Sequence, residues 1–469
     1  MKRVMQSANL SYFKNLPLRL FFGASLFSIF TASPEEASVL PTEIPPAFTT
    51  QELRQRANNR VFQIITRSKG AKEKRSYGSA YVVDASGLLV SNFHVVSSYV
   101  FGKGMLELEM VDPTGKNIDV QVVDFDIMND LALLRVDKKF ESTYTLGQNS
   151  RLSPGQKIYS IGLPQDTVMT MVEGLFSDLK QHGPVQRLYS SNPVNSGMSG
   201  GPVVNEFDQV IATNQAILKS AQNVSILIPV EPVQQLLERG RDLKAQFFEE
   251  APSTKIHDQV SAELKPWIED WKNNSQILQS TSFENYEILE LPKNSQCWEN
   301  HSKKDSVLNC SSGISVSVGE ESSGGELNFT YILTKNGLVE TSKPFESFDE
   351  QFVEASSRDA DSEKFICHQR LVKNRQEVKL FAQYCVTRHA SVSQLANLRL
   401  AFRVVDNREK TFMGYMSAMG VPMEQAIQIT DTFINSVYFK GSKSNPPSPQ
   451  ANQIRSPSSE APAEEANGS

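Results

Sequence analysis

Residues from about 51 to 230 contain many short apolar runs, each bounded by Gly, Asn, Asp or Pro. Examples are "SAYVVD", "GLLVSNF", "VQVVDF", "LALLRV", "KIYSIG" and "QVIATNQAIL". Runs of about four to eight residues with turn residues between them are typical of strands in a barrel or sandwich. The first half of the chain is therefore predicted to be all-β.

The pattern changes to helical spacing over 231–248, where the apolar residues fall on one side of a helix. "EEAPSTK" (249–255) marks a boundary, and a helical stretch around Trp267 and Trp271 follows it. A second β-rich region comes next, with a hairpin predicted at Asn336-Gly337. A last helical segment, "MEQAIQITDTFINSV", completes the order expected of an α+β domain of unidentified fold.

The N-terminus has a basic lead followed by "LFFGASLFSIFTA" (20–32), thirteen residues without a charge. A transmembrane helix needs roughly 20 apolar residues, and this run is shorter. A basic lead with a short apolar run indicates a secretory signal, and an uncleaved membrane anchor is the alternative. The predicted location is therefore the periplasm or the extracellular space.

The composition narrows the class of protein further. The net charge is −6 and no dense Lys/Arg run is present, so a nucleic-acid-binding surface is not expected. The tail from Gly441 lacks aromatic residues and is rich in Pro and Ser, which predicts disorder. The predicted units are the signal or anchor (1–33), a linker (34–49), the all-β domain (50–248), a helical linker (249–275), the α+β domain (276–440) and the tail (441–469).

Four cysteines lie in the C-terminal half: Cys297, Cys310, Cys367 and Cys385. An even number behind an export signal favours two disulfides, most simply Cys297–Cys310 and Cys367–Cys385, although three pairings exist. The alternative is four buried thiols in a cytosolic protein. No short C-x-x-C pair is present, so no metal site and no cofactor are predicted.

Three polar residues stand in an order that suggests chemistry. His94 ends the apolar run "LVSNFHVV", Asp130 directly precedes "LALLRV", and Ser199 lies in "NSGMSGGPVVN" (195–205). Asp124 and Asp126 are predicted to be turn residues. His182, in the loop-like "KQHGP", is predicted to be structural.

The order His, Asp, Ser is one of those in which a catalytic triad occurs. Ser199 would attack a carbonyl, His94 would take and return its proton, and Asp130 would orient the imidazole. The backbone N–H groups of Gly197 and Ser199 are candidates for an oxyanion hole.

The segments around these residues resemble the HtrA branch of trypsin-like serine proteases, from about Thr50 to Leu243. The resemblance lies in "GSAYVVDASGLLVSNFHVV", "NDLALLRV" and "VNSGMSGGPVVNEFDQVIATNQAIL". It implies a pair of six-stranded antiparallel β-barrels with the active site between them. It also implies the triad His94, Asp130 and Ser199, with Gly197 in the oxyanion hole.

The chain departs from that family in two ways. Met198 replaces the Asn of the branch, or the Asp of trypsin itself, so the ion pair that orders digestive zymogens cannot form. No PDZ domain is recognisable over 250–440. The pocket for the side chain before the cut is predicted at Pro193, Asn214 and Ala216, which favours small or aliphatic residues.

The expected function is a serine endopeptidase that acts on exported or unfolded polypeptides. A catalytically latent trypsin-like scaffold, serving as a chaperone or binding protein, is the alternative. The expected partners are polypeptide substrates and no nucleic acid. A homo-oligomer stays open, and membrane attachment would require the N-terminal segment to be uncleaved.

Overall fold

A computed structural model provides the fold of one compact unit, Pro46–Ser469. The structure describes residues 46–71, 74–102, 104–164, 168–183, 185–217, 224–243, 252–274, 276, 278, 283–292, 295–302, 305–313, 316–318, 322–334, 365–389, 391–405 and 411–440. The predicted signal peptide, most of the predicted linker, the hairpin at Asn336-Gly337 and the predicted tail lie outside these residues. Among the described residues, no helix is both long and apolar enough to cross a bilayer.

The first barrel closes with the antiparallel strand order β1-β2-β3-β6-β5-β4. Its elements are α1 (Thr50–Ala57), β1 (Val61–Ser68), β2 (Lys74–Asp84), β3 (Leu88–Ser91), α2 (Phe93–Phe101), β4 (Leu106–Val111), β5 (Asn117–Asp126) and β6 (Leu131–Val136). Strand β1 is buried on both faces, because Phe62 and Ile64 face one apolar core while Val61 faces another. Both faces of this strand are therefore fixed by packing.

The second barrel is closed by an additional pairing of β11 with β12, giving the circular order β11-β8-β9-β10-β13-β12. Its elements are β7 (Thr145–Leu146), β8 (Lys157–Gly162), β9 (Thr170–His182), β10 (Val185–Ser190), β11 (Pro202–Val204), β12 (Gln209–Ile217), β13 (Ser225–Pro229) and α3 (Val230–Gly240). The short β7 adds to β12 in parallel. The prediction of two six-stranded barrels is confirmed.

A shared apolar layer holds the two barrels together. It contains Tyr81 and Leu131 from the first barrel with Tyr159 and Val204 from the second. The Tyr81 hydroxyl lies 2.9 Å from the hydroxyl of Thr213, so this buried polar group is paired across the layer. Burial raises the pKa of Tyr81 far above its ordinary value, which keeps the phenol neutral. The relative position of the barrels, and of the cleft between them, follows from this layer.

The C-terminal region is a seven-stranded antiparallel sheet of order β15-β16-β19-β23-β22-β21-β20, with helices α4 and α5 on one face. Its elements are α4 (Pro252–Asn273), β14 (Tyr286–Ile288), β15 (Gln296–His301), β16 (Asp305–Ser311), β17 (Val316–Val318), β18 (Ser322–Gly324), β19 (Glu326–Thr334), β20 (Ile366–Lys373), β21 (Lys379–Arg388), β22 (Leu395–Val404), β23 (Thr411–Pro422), α5 (Met423–Asn435) and β24 (Val437–Phe439). Side chains of β19 alternate between buried and half-buried, as expected when one sheet face is covered by helices. The α+β order is therefore the one predicted.

The four cysteines form two pairs on neighbouring strands. Cys297 lies opposite Cys310, and Cys367 lies opposite Cys385. Their S–S distances are 2.10 Å and 2.04 Å. These are the two pairs that the sequence favoured as the simplest.

The prediction that Asp124 is a turn residue was wrong. A β-bulge between Val122 and Asp124 interrupts β5, and the Asp124 side chain has no exposed surface. Its carboxylate accepts from the Nε of Arg239 at 2.6 Å and forms an ion pair with Lys255. Bulges redirect side chains, and the aspartate therefore binds α3 and α4 rather than capping a turn.

We expect Trp271→Ala to lower the free energy of unfolding by about 3–5 kcal/mol, because it leaves a cavity in a packed core. The Trp271 ring is buried, with its centroid 5.0 Å from that of Phe329 on β19. Trp298→Ala is the control: its side chain is 55% exposed, and the expected change is below about 0.5 kcal/mol. Urea unfolding followed by far-ultraviolet circular dichroism measures both. Equal effects of the two substitutions would contradict the packing described here.

Candidate active site

Asp130 binds the beginning of α2 through both its backbone and its carboxylate. Its carbonyl accepts from the N–H of Phe93 at 3.1 Å and from the Asn92 side chain at 2.9 Å. One carboxylate oxygen accepts from the His94 N–H at 2.9 Å, and the other lies 2.7 Å from His94 Nδ1. A carboxylate beside Nδ1 favours the tautomer with its proton there, which leaves Nε2 as a proton acceptor.

The turn that carries Asp130 is held from several sides. Asp130 has φ +55°, in the left-handed region that costs free energy for a residue with a Cβ. Its N–H donates to the carbonyl of Ile127 at 3.2 Å. The buried Arg187 of β10 donates to the carbonyl of Met128 at 3.1 Å and to the Asn129 side chain at 3.3 Å. The second barrel thus supports a turn of the first.

The pKa of His94 reflects two opposing influences. Burial disfavours the imidazolium and lowers the pKa, but the charge of Asp130 and its hydrogen bond outweigh burial, so the net shift is upward. The side chain remains 33% exposed, so solvent screens part of this interaction. Because the pKa of His94 is higher in the folded protein than in the unfolded chain, protonation of His94 stabilises the fold at a pH below its ordinary pKa. This stabilisation is lost as the pH rises through the pKa of the folded protein.

Ser199 lies in a turn that depends on glycine. Gly197 has φ +90° and Gly200 has φ +83°, a region that L-residues rarely adopt. A Cβ on Gly200 would overlap the carbonyl oxygen of Ser79 and the hydroxyl of Ser91. The glycines therefore allow the Ser199 turn to approach strands β2 and β3 of the first barrel.

Ser79 ties the Ser199 turn to the first barrel. Its N–H donates to the carbonyl of Ser199 at 2.8 Å, and its hydroxyl donates to the carbonyl of Gly197 at 2.7 Å. The hydroxyl also accepts from the N–H of Leu163 at 2.9 Å. Ser91, three residues before His94, donates its hydroxyl to the Ser79 carbonyl at 2.7 Å. These contacts fix the Ser199 turn relative to the segment that leads to His94.

Gln215 of β12 connects Ser199 with Asp130. Its carbonyl accepts from the Ser199 hydroxyl at 3.2 Å, and its Nε2 lies 3.4 Å from a carboxylate oxygen of Asp130. The three predicted residues thus come together at one site. Among the described residues, the Ser199 hydroxyl forms its hydrogen bond with Gln215 and not with His94.

Met198 is buried in the core of the second barrel with Leu188 and Val203. Its N–H donates to the carbonyl of Asn195 at 3.0 Å, and its sulfur accepts from the Asn195 N–H at 3.4 Å. Apolar burial thus anchors the turn at the position where digestive proteases carry an acidic residue.

The residues predicted for the substrate pocket occupy different environments. Pro193 is exposed, whereas Asn214 is buried and donates its side chain to the carbonyl of Ile161 at 2.9 Å. Ala216 lies opposite Ile226 in the β12–β13 pair. Since Asn214 offers no exposed surface, the pocket prediction now depends on Pro193 and Ala216. His182 is the last residue of β9.

Sequence reasoning missed the residues that hold these three in place. Ser79 and Gln215 lie inside the quoted segments, but a serine in a strand and a glutamine in a strand carry no distinctive signal. Arg187 could have been suspected, because it shares a strand face with Val185 and Tyr189, and an arginine needs a partner when buried. Among the described residues, no group of three or more His, Cys, Asp and Glu side chains is placed to bind a metal.

Comparison with known proteins agrees with this geometry. Residues 78–213, from β2 into β12, match the family model of the trypsin-like peptidase domain. Residues 78–213 are therefore of the trypsin-like peptidase class, and the relatives that match the chain are named as HTRA and Do-like proteases.

The relatives match part of this chain. Serine protease HTRA1B of Danio rerio is 32% identical over 178 residues, which is 36% of this chain and 36% of that protein. Protease Do-like 1, chloroplastic, of Arabidopsis thaliana is 30% identical over 238 residues, covering 44% of this chain and 52% of that protein. The chain thus spans about one third to one half of the lengths of these relatives.

The solved structures that match part of the chain include that of Deg5. It is 24% identical, with a TM-score of 0.34 over 39% of this chain and 90% of that one. The serine endoprotease from Yersinia pestis is 22% identical, with a TM-score of 0.35 over 43% of this chain and 69% of that one.

A pH profile tests the contact between His94 and Asp130. The reagent is a fluorophosphonate, whose phosphorus is attacked by an activated serine. Neutral His94 is the form that can accept the serine proton. We expect the labelling rate to rise with pH around a midpoint above 6.5, the ordinary histidine value, because Asp130 raises the pKa of His94. Asp130→Asn removes that charge, so the midpoint should fall and the rate should drop by about 10⁴.

The measurement is the labelling rate between about pH 5 and pH 9, with folding checked by circular dichroism at each pH. A midpoint that stays in place in Asp130→Asn would contradict the described contact.

Proposed function

We propose that the chain is a serine endopeptidase that cleaves exposed or unfolded polypeptide segments through His94, Asp130 and Ser199. The observation that supports this most is the 2.7 Å contact of His94 Nδ1 with Asp130, beside a serine whose hydroxyl bonds to Gln215. The side-chain amide of Gln215 also reaches Asp130, so one residue contacts both the serine and the aspartate. A purely structural cleft has no physical need for these three groups together.

The proposed reaction is acyl transfer to water. The Ser199 oxygen attacks the substrate carbonyl while His94 Nε2 takes its proton, and Asp130 stabilises the resulting imidazolium. His94 then gives the proton to the leaving amine, which breaks the peptide bond and leaves an acyl-enzyme. A water molecule, deprotonated by His94, hydrolyses the ester and restores the Ser199 hydroxyl.

The oxyanion of each tetrahedral intermediate would be bound by the backbone N–H groups of Gly197 and Ser199. The hydrogen bond from the Gly201 N–H to the Met198 carbonyl at 3.0 Å supports this role, because that carbonyl shares a peptide plane with the Ser199 N–H and fixes its direction. A preorganised donor pair avoids the cost of reorientation during the reaction. The loss of one such donor costs about 10² to 10³ in kcat in a related enzyme class.

Activity in this proposal does not depend on a new N-terminus. Met198 cannot form the ion pair that a zymogen uses, and its burial with Leu188 and Val203 supplies an alternative anchor for the turn. We therefore propose that the protease domain is active without proteolytic processing.

The proposed compartment is oxidising, because two cysteine pairs lie at disulfide distance. This agrees with an export signal at the N-terminus and with exported polypeptides as substrates. The relatives are named as serine proteases and as a Do-like protease, and the extension of that activity to this chain is part of the proposal.

The second candidate is a latent scaffold that binds polypeptides without cutting them. The observation that favours it is the hydrogen bond of the Ser199 hydroxyl to the Gln215 carbonyl, which directs the nucleophile away from His94. Serine side chains change rotamer fast relative to turnover, so the hydroxyl can leave the Gln215 carbonyl during the reaction. We therefore prefer the enzyme.

Ser199→Ala should abolish fluorophosphonate labelling and reduce kcat on an unfolded protein substrate by about 10⁶. Ser196→Ala is the matched control. It removes a serine three positions earlier in the same turn, whose hydroxyl lies 3.2 Å from that of Tyr77. We expect it to label at close to the wild-type rate.

The full-length protein is used for both variants. Wild-type proteolysis in Ser199→Ala would exclude the triad. Absence of labelling in correctly folded wild-type protein, together with retained binding of unfolded polypeptide, would support the latent scaffold instead.

A further inference from the structure

A glutamine of the C-terminal region binds the backbone that leads to Asp130. The Oε1 of Gln259, on α4, accepts from the N–H of Ile127 at 2.8 Å. Its Nε2 donates to the carbonyl of Phe125 at 2.9 Å. A side-chain amide offers one acceptor and donors on the same group, so Gln259 pairs with this backbone as an adjacent strand would. The contact lies where β5 ends, three residues before Asp130.

A second contact comes from one turn earlier on the same helix. Lys255 forms an ion pair with the buried Asp124, and its Nζ lies 4.9 Å from the centre of the Phe125 ring. Residues four apart lie on the same side of a helix, so Lys255 and Gln259 bind adjacent parts of one segment. Ile256 belongs to the same apolar core as Phe125. Segment 124–127 is thus held by charge, by hydrogen bonds and by apolar packing.

The rest of α4 is built into the C-terminal sheet. The Trp267 and Trp271 rings lie 6.0 Å and 5.0 Å from that of Phe329 on β19. Gln425 of α5 donates to the carbonyl of Ser261 at 2.8 Å. One helix therefore connects the sheet with the segment before the Asp130 turn.

The hydrogen bonds continue from Gln259 to Asp130 through a single residue. Gln259 holds the N–H of Ile127, and the carbonyl of Ile127 accepts from the N–H of Asp130. Arg187 holds the next two residues of the turn from the opposite side. The left-handed conformation of Asp130 is costly alone, so it needs such contacts to persist.

We propose that Gln259 is a positioning residue for the triad. It holds the Asp130 turn so that the carboxylate meets His94, and the C-terminal region thereby controls the reactivity of the protease domain through α4. The inference rests on the proposed function, since it concerns how the same site is kept competent.

The charged groups around the turn determine which substitutions are informative. Asp126 and Glu263 lie near it, and burial followed by the charge of Asp126 raises the pKa of Glu263. The remaining charges are the Asp124 carboxylate with Lys255 and Arg239, and Arg187 on the second barrel. A glutamate at position 259 would add a negative charge here and confuse a pH profile. Uncharged replacements avoid this.

The test compares Gln259→Ala with Gln234→Ala in the full-length protein. Gln234 is a matched control: it is a half-buried glutamine on α3 whose Nε2 donates to the carbonyl of Gly147 at 2.9 Å, and it supports the second barrel instead. Both substitutions remove a helical glutamine that binds a backbone carbonyl. They differ in whether that carbonyl precedes Asp130.

For Gln259→Ala we expect a 10- to 100-fold lower fluorophosphonate labelling rate, about the cost of a 1 Å misplacement in an active site. We expect kcat on a peptide substrate to fall while KM changes little, because Gln259 does not line the cleft. The acid limb of the rate–pH profile should move to lower pH, as a displaced carboxylate raises the pKa of His94 less. Gln234→Ala should leave the rate within about twofold and the acid limb in place.

The outcomes separate this inference from the proposed function. If wild-type protein shows no Ser199-dependent labelling, the proposed function fails first. If wild-type protein labels and Gln259→Ala keeps its rate and acid limb, the role of Gln259 is wrong. Equal losses in both glutamine variants also overturn it, since the effect would then be a general loss of stability. Should Gln259→Ala not fold, Gln259→Met retains the volume of the stem without the amide, and the same criteria apply to it.

Discussion

The hydrogen bonds between the Asp130 turn and the beginning of α2 are the contacts on which the site depends. Four groups of residues 92–94 bind this one aspartate, two at its carbonyl and two at its carboxylate. Because the same residue fixes both the helix and the imidazole, the direction of His94 follows from the backbone of its own barrel. The cost of the left-handed conformation at Asp130 is offset by these contacts and by those of Ile127 and Arg187.

The second barrel contributes Ser199, the proposed nucleophile, and the contact between the barrels combines an apolar layer with hydrogen bonds around the Ser199 turn. Tyr81, Leu131, Tyr159 and Val204 form the apolar layer. Beside it, Ser79 binds the carbonyls on both sides of Met198. Apolar contacts resist separation of the barrels but specify direction weakly, whereas hydrogen bonds to two carbonyls specify the orientation of a peptide. The combination keeps the Ser199 turn at a defined distance and orientation.

The sequence predicted the parts of this arrangement that are encoded locally. His94, Asp130 and Ser199 were found because each lies beside an apolar run, and because glycines at 197, 200 and 201 mark a turn that a Cβ would obstruct. The strand pattern predicted an all-β domain for the same reason, since short apolar runs and turn residues are local properties. The two barrels were implied by the resemblance to the HtrA branch. The favoured cysteine pairing was accessible because it joins cysteines that are neighbours in the sequence, 13 and 18 positions apart.

What the sequence did not predict depends on contacts between distant segments. Asp124 looked like a turn residue because Asp126, Asn129 and Asp130 follow it closely in the sequence. Neither the bulge nor the distant Arg239 and Lys255 leaves a local signal. Gln259 is 132 positions from Ile127, and a half-buried glutamine on a helix has no distinguishing pattern. Residues that orient other residues are therefore harder to identify from the sequence than residues that react. Their residue types are common, and their role follows from their position in the fold, which the local sequence does not show.

The location of α4 has a consequence for how the two halves of the chain behave together. Helix packing against Phe329 alone would leave the C-terminal sheet free to act independently of the protease domain. The ion pair of Lys255 with a fully buried Asp124 makes that independence costly. Withdrawal of α4 would remove Lys255 from this desolvated carboxylate and leave it with Arg239 and the N–H of Phe125. The amide of Gln259 adds two hydrogen bonds to backbone groups that would otherwise lose their partners. Separation of the sheet from the barrel thus disturbs the segment that leads to Asp130. Folding of the C-terminal region and the geometry of the active site are therefore coupled.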